Sequence, residues 1–403
     1  MENLESTTAP TKASEEIRTF KFEASQADLD DLKRRILATR FPEKEPVNDN
    51  SQGVPLAAVQ TLAKYWATEY DWRKAEARLN SYPQFITEID GLDIHFIHVH
   101  SKHENALPII ITHGWPGSII EQLKIIDPLI NPTEFGGKAE DAFHVVIPSI
   151  PGFGFSGKPS TTGWGPSRIA DAFITLMKRL KYEKFFASGG DWGGIITDLM
   201  AAQSPNDLLG IHTNFPCAVP TEIDKEALSG APAPAGLSAE ERQAYERLIF
   251  TYKYVQYAYY MGSRPQTLVG LTDSPVALAA WMLDHDPLSL QLIIRSFNGQ
   301  AEGLTRDDVL DNVTLFWLTN SGVSASRIYL ENKESFWTPK GVSVPVAVSV
   351  FPDEIHLVPR NWAEKAYPNM IYYKKHEQGG HFAAWEQPEL LVNDIREGFK
   401  SLR

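Results

Sequence analysis

The stretch Gly189-Gly190-Asp191-Trp192-Gly193 constrains this chain more than any other. It follows Tyr182-Glu183-Lys184-Phe185-Phe186, which reads as a short buried strand, and it precedes Ile195 to Ala202, which reads as a helix. Small residues stand two before and two after Asp191. A very tight strand-to-helix turn needs them, because its neighbouring backbone leaves no space for bulkier side chains. Such a turn thrusts its tip residue into a cleft near the positive end of the following helix. Here the tip is a carboxylate. Asp191 cannot be a serine-type acyl-transfer nucleophile, but it can attack carbon and form an ester. A surface turn or an Asp helix N-cap would satisfy the same five letters, so the surrounding pattern has to decide.

That pattern is an alternation of strands and helices. Phe85 to His100 alternates and turns at Asp90-Gly91, as a β-hairpin does. Pro108 to Thr112 and Phe143 to Ile150 read as strands, Ser118 to Ile130 and Pro166 to Leu180 as helices, and Leu209 to Phe215 as a strand after the elbow. Residues 216 to about 340 then carry helical periodicity with many Tyr and Trp. The rhythm resumes with strands at Val344 to Phe351 and Met370 to His376, a helix near Pro359 to Tyr367, and a last helix from Pro388 to Leu402. The expectation is an α/β fold: a mostly parallel sheet flanked by helices, interrupted by a helical lid at the edge where ligands bind. Four regions follow: a tail and helical lead-in over 1–84, the core's first part over 85–215, the lid over 216–340, and the core's second part over 341–403. Residues 1 to about 16 read as a disordered tail, and no strand is expected before the hairpin. In the lead-in, Leu29, Leu32 and Ile36 line one face of a helix capped near Ser25.

Three further stretches carry chemistry. His113-Gly114-Trp115-Pro116-Gly117-Ser118 follows a strand, and its small residues expose backbone N–H groups. With the N–H of Trp192, the residue after the tip, these can hold an oxyanion. A plain turn before a helix explains the same glycines. Gly379-Gly380-His381-Phe382-Ala383-Ala384-Trp385-Glu386 follows the last strand. There His381 completes the chain order nucleophile, acid, histidine. Phe351-Pro352-Asp353-Glu354 ends the preceding strand, and either carboxylate can orient His381.

Together these motifs resemble the microsomal-type epoxide hydrolases of the α/β-hydrolase superfamily. The resemblance covers nearly the whole chain. It includes Arg40-Phe41-Pro42, Asp273-Ser274-Pro275-Val276 and Arg327-Ile328-Tyr329-Leu330-Glu331-Asn332. It implies Asp191 as nucleophile, His381 as general base and Glu354 rather than Asp353 as the acid partner. Backbone N–H groups of Trp115 and Trp192 would form the oxyanion hole. Two lid tyrosines would donate to the epoxide oxygen: Tyr329, and Tyr257 among the crowd Tyr252, Tyr254, Tyr259 and Tyr260. The implied reaction converts an apolar epoxide and water to a vicinal diol. Membrane-bound relatives carry an apolar N-terminal anchor that this chain lacks.

The chemistry is consistent with that assignment. A strained three-membered ring needs an anionic nucleophile at carbon and an acid at oxygen, and a tyrosine hydroxyl can donate without carrying charge. A haloalkane or haloacid dehalogenase would use the same Asp and His but leave both tyrosines idle. A non-catalytic binding homologue would be expected to lose one of Asp191, Glu354 and His381, and all are present. Trp281, Phe297, Phe316 and Trp317 suit an apolar pocket, or simply the lid's own core.

Other features are decoys. Gly152-Phe153-Gly154-Phe155-Ser156-Gly157 spells a dinucleotide fingerprint but no helix follows it. His95, His98, His100 and His103 read as a solvated strand edge rather than a zinc site. A net charge of −13 disfavours nucleic acid and anionic membranes. The single cysteine, Cys217, sits in an apolar run and reads as inert. It fits a reducing, cytoplasmic setting for a soluble protein. No cofactor or metal is expected, and the oligomeric state, a homodimer included, stays open.

Overall fold

Asp90 and Gly91 take φ of 53° and 77°, the left-handed pair that a two-residue hairpin turn requires. They join β2 (Gln84–Ile89) to β3 (Leu92–Val99). The structure, a computed structural model, describes residues 15–300 and 302–403, so the tail expected over residues 1 to about 16 lies almost wholly outside it.

Among the described residues the sheet has nine strands. Besides the hairpin these are β1 (Ile17–Phe20), β4 (Leu107–Thr112), β5 (Phe143–Pro148) and β6 (Phe185–Gly189). β7 (Leu208–Thr213), β8 (Val346–Val350) and β9 (Met370–Lys375) complete it. Their order is β1-β2-β3-β5-β4-β6-β7-β8-β9, antiparallel as far as the β3–β5 pair and parallel from β5 onwards. This is an α/β-hydrolase fold. Parallel strands β4 to β8 are almost wholly buried, as their Val- and Ile-rich runs require when helices cover both faces.

Two expectations are corrected. The lead-in does contain a strand: β1 pairs antiparallel with β2, Ile17 opposite Thr87 and Phe20 opposite Gln84. Four mostly exposed residues give no apolar period, so the strand exists only through its partner. The histidine cluster is not a solvated edge. β3 is interior, so His95 is fully buried with ring nitrogens 2.9 Å from Ser149 Oγ and 3.1 Å from Gln84 Oε1. His98 is buried against the Tyr182 hydroxyl, and only His100 reaches the exposed strand end. The Gly152–Gly157 fingerprint lies in a turn after β5, and the next helix begins at Pro166.

The lid is inserted between β7 and β8, with helices from Thr221 to Glu331. The lead-in helices Gln26–Leu37, Leu56–Thr68 and Trp72–Asn80 pack on it. Trp66 Nε1–H donates to Thr314 Oγ1 at 3.0 Å, and the hydroxyls of Tyr65 and Tyr70 donate to Asp307 and Asp311. No helix among the described residues is long and apolar enough to cross a membrane.

Candidate active site

Asp191 stands between the end of β6 and the helix Trp192–Gln203, with φ of 50° and ψ of −128°. A non-glycine residue held there is strained by about 1–3 kcal/mol, which the surrounding fold must offset. The crowding explains its neighbours: a Cβ on Gly193 would overlap the carbonyl oxygen of Thr112, and one on Gly114 would overlap the Asp191 carboxylate.

The turn after β4 receives that carboxylate. The Trp115 N–H donates to Asp191 Oδ1 at 2.7 Å, and the Trp192 N–H adds to the hold. Asn312 from the lid fixes this turn by bonding both the Pro116 carbonyl and the Ser118 hydroxyl, each at 2.7 Å. Burial raises the Asp191 pKa, against the pull of His381, His285 and the two N–H groups.

On the other side, His381 Nε2 lies 3.7 Å from Asp191 Oδ2. Its Nδ1 donates to Glu354 Oε1 at 2.6 Å. Burial alone would depress the His381 pKa, but the charge and hydrogen bond of Glu354, then the charge of Asp191, carry it up to about 10. Asp353 is exposed, and its backbone bridges to Gly380 instead. The Asp191 carboxylate, the His381 imidazole and the Glu354 carboxylate therefore lie in one buried row.

Above Asp191 opens a cavity of about 560 Å3, lined by Tyr257, Tyr329, Trp192 and Phe336 among others. Trp115 contacts both tyrosine rings, at 4.7 Å from Tyr257 and 5.9 Å from Tyr329 between centroids. Burial, with the nearby Asp191 charge, pushes both phenols well above their ordinary pKa, so they stay neutral donors. Of the other tyrosines in that stretch, Tyr252 and Tyr259 also line this cavity, but their hydroxyls are engaged or exposed. Tyr252 and Tyr254 donate to Asp224 and Asp284, while Tyr259 and Tyr260 are largely exposed.

Residues 17–122 match the family model described as epoxide hydrolase N terminus, and residues 108–247 match the alpha/beta hydrolase fold. Epoxide hydrolase 1 of Oryctolagus cuniculus is 36% identical over 404 residues, spanning 94% of this chain and 88% of its own. This chain belongs to the epoxide hydrolase family. A Stigmatella aurantiaca protein that also bears an epoxide hydrolase name is 47% identical, over 96% of this chain and 86% of its own. The crystal structure of juvenile hormone epoxide hydrolase from Bombyx mori superposes with a TM-score of 0.83 at 28% identity, covering 97% of this chain and 96% of that one.

This epoxide hydrolase also holds groups that the sequence did not announce. The His285 ring packs against His381 with centroids 4.2 Å apart and the planes tilted by 34°, and its Nδ1 lies 3.0 Å from Asp286 Oδ2. Glu121 and Glu386 are buried nearby, where burial pushes their pKa values up to about 8 and about 7. In the sequence His285-Asp286-Pro287 signals only a helix start, and Asp286 does cap the helix Pro287–Phe297. Asp191, His285 and His381 are also the group of described residues whose donor atoms would fit round one cation.

Proposed function

We propose that this enzyme opens an apolar epoxide and adds water, by way of an ester on Asp191. The observation that carries the reading is the shared cavity: Asp191 and two buried, neutral tyrosines, Tyr257 and Tyr329, line the same space. One carboxylate oxygen, Oδ1, is occupied by the Trp115 N–H, which leaves Oδ2 to attack carbon. Tyr257 and Tyr329 donate to the ring oxygen as its bond to carbon breaks, because a bare alkoxide is a poor leaving group.

Charge then shifts within the site. Esterification removes the negative charge that helped keep His381 protonated. The imidazolium proton restores the phenol that gave its own to the alkoxide, and His381 becomes the neutral base required by the second step. Oriented by Glu354, it deprotonates a water that attacks the Asp191 carbonyl carbon. The resulting oxyanion lies between the N–H groups of Trp115 and Trp192, in a dry site where such bonds are strong. Aromatic lining by Phe336 and Trp337 favours an apolar substrate.

Intact-protein mass spectrometry of His381→Gln after exposure to aryl and alkyl epoxides tests this. The expected result is an adduct of the epoxide's mass on the peptide containing Asp191. Absence of any adduct, with halide released from a haloalkane by the wild type, would overturn it in favour of a dehalogenase.

A further inference from the structure

His285 is a second imidazole–carboxylate pair set against the first. Its partner Asp286 is buried, with Oδ1 accepting from the helix-cap N–H groups of Leu288 and Ser289 and Oδ2 lying 3.0 Å from His285 Nδ1. An ionised carboxylate only accepts, so the hydrogen of the pair sits on His285 Nδ1. Nε2, the other ring nitrogen, is left for a further partner. Among the described residues that buried Nε2 has no hydrogen-bond partner. His381 is built the same way, with Nδ1 spent on Glu354 and Nε2 turned to Asp191.

One carboxylate oxygen of Asp191 and one ring nitrogen of each histidine lie within 4.8 Å of one another. Two hydrogen bonds of about 2.8 Å leaving a water at its own bond angle span about 4.4 Å. A single bridging water fits within that limit. We infer that His285, held by Asp286, positions the hydrolytic water: its Nε2 and that of His381 each accept one hydrogen of the same molecule, which turns the water's lone pair toward the ester carbon of Asp191.

This rests on the covalent route proposed above. In that step the water oxygen bonds to Asp191 Cγ, its proton passes to His381 Nε2, and the carbonyl pair moves onto Oδ1. Collapse re-forms the carbonyl and breaks the ester bond, the departing diol oxygen takes the proton back from His381, and the new Asp191 carboxyl passes its remaining proton to His381, which restores carboxylate and imidazolium. His285 keeps its tautomer throughout. Its role is to restrict the water's orientation, so its removal acts chiefly on the second half-reaction.

The test is rapid-mixing fluorescence of the wild type, His285→Leu, His285→Gln and Asp286→Asn with styrene oxide and cyclohexene oxide, using Trp115 and Trp192 as reporters. Asn at 286 keeps an oxygen for the helix cap while losing the charge. Alkylation is expected to change much less than hydrolysis in all variants, and its persistence certifies folding. Hydrolysis of the ester is expected to slow by about 10- to 100-fold in His285→Leu and Asp286→Asn, with partial recovery in His285→Gln. Then kcat and KM fall together and kcat/KM holds. Wild-type hydrolysis in His285→Leu, or a loss confined to alkylation and kcat/KM, overturns the inference. If His381→Gln forms no ester with either epoxide, the covalent route itself fails and this inference falls with it.

Discussion

His381 Nδ1 lies 2.6 Å from Glu354 Oε1, while the carboxylate one residue earlier, on Asp353, faces solvent. The bridge from Asp353 to Gly380 ties the acid loop to the histidine loop through backbone, so the two carboxylates serve different ends. Glu354→Gln is expected to lower the rate of ester hydrolysis by about 100-fold or more, since the imidazole loses both its fixed tautomer and its counter-charge. Asp353→Asn should stay within about 2-fold of wild type. Single-turnover kinetics on the two variants distinguishes them.

The two lid tyrosines are expected to act in the first half-reaction. Tyr257→Phe and Tyr329→Phe should each slow alkylation by about 100-fold, the common scale for one general acid, with the hydrolysis rate little changed. Tyr259→Phe, an exposed position in the same stretch, should leave both steps alone. The readout is the rate of the fluorescence change on mixing with epoxide.

His381 gives the fold a dependence on pH. Its folded-state pKa of about 10 stands above the ordinary value of about 6.5. A raised pKa stabilises the fold fully below about pH 6.5, and that contribution is lost as pH rises toward about 10. Wild type should therefore exceed His381→Gln in the unfolding free energy obtained from urea titration at pH 6.5, by an amount on the order of a few kcal/mol, and the gap should close by pH 10.

Backbone crowding at the elbow makes a further prediction. Gly193→Ala forces a methyl into the Thr112 carbonyl at the end of β4, where neither strand nor helix can retreat. A loss of about 3 kcal/mol or more, or failure to fold, is expected. Gly91→Ala, at a turn with open space around it but φ of 77°, should cost about 1 kcal/mol. Thermal unfolding of both proteins measures the difference.

The elbow, the hairpin at Asp90-Gly91 and the His381 loop were legible because their chemistry is local: each needs particular residues within a few positions. β1 was not, because Ile17–Phe20 becomes a strand only by pairing with β2, about 65 residues later. The histidines of β3 were misread for a related reason. Alternation along a strand indicates two faces, but not whether both will be covered. His285 escaped because nothing near it in sequence signals the His381 ring that it meets in space. Tyr257 could be drawn from its crowd only by resemblance, and its contact with Trp115 is the tertiary feature that sets it apart.

The lead-in does two jobs with one length of chain. β1 is hydrogen-bonded into the sheet, while Tyr65, Trp66 and Tyr70 grip the lid through Asp307, Thr314 and Asp311. The lid helix carrying these three partners also carries Asn312, which fixes the turn that holds Asp191. A chimaera that imports a foreign lid to change substrate range would sever that grip, and the loss would reach the support of Asp191. In this chain, lid and lead-in have to be exchanged together for the turn that holds Asp191 to keep its brace.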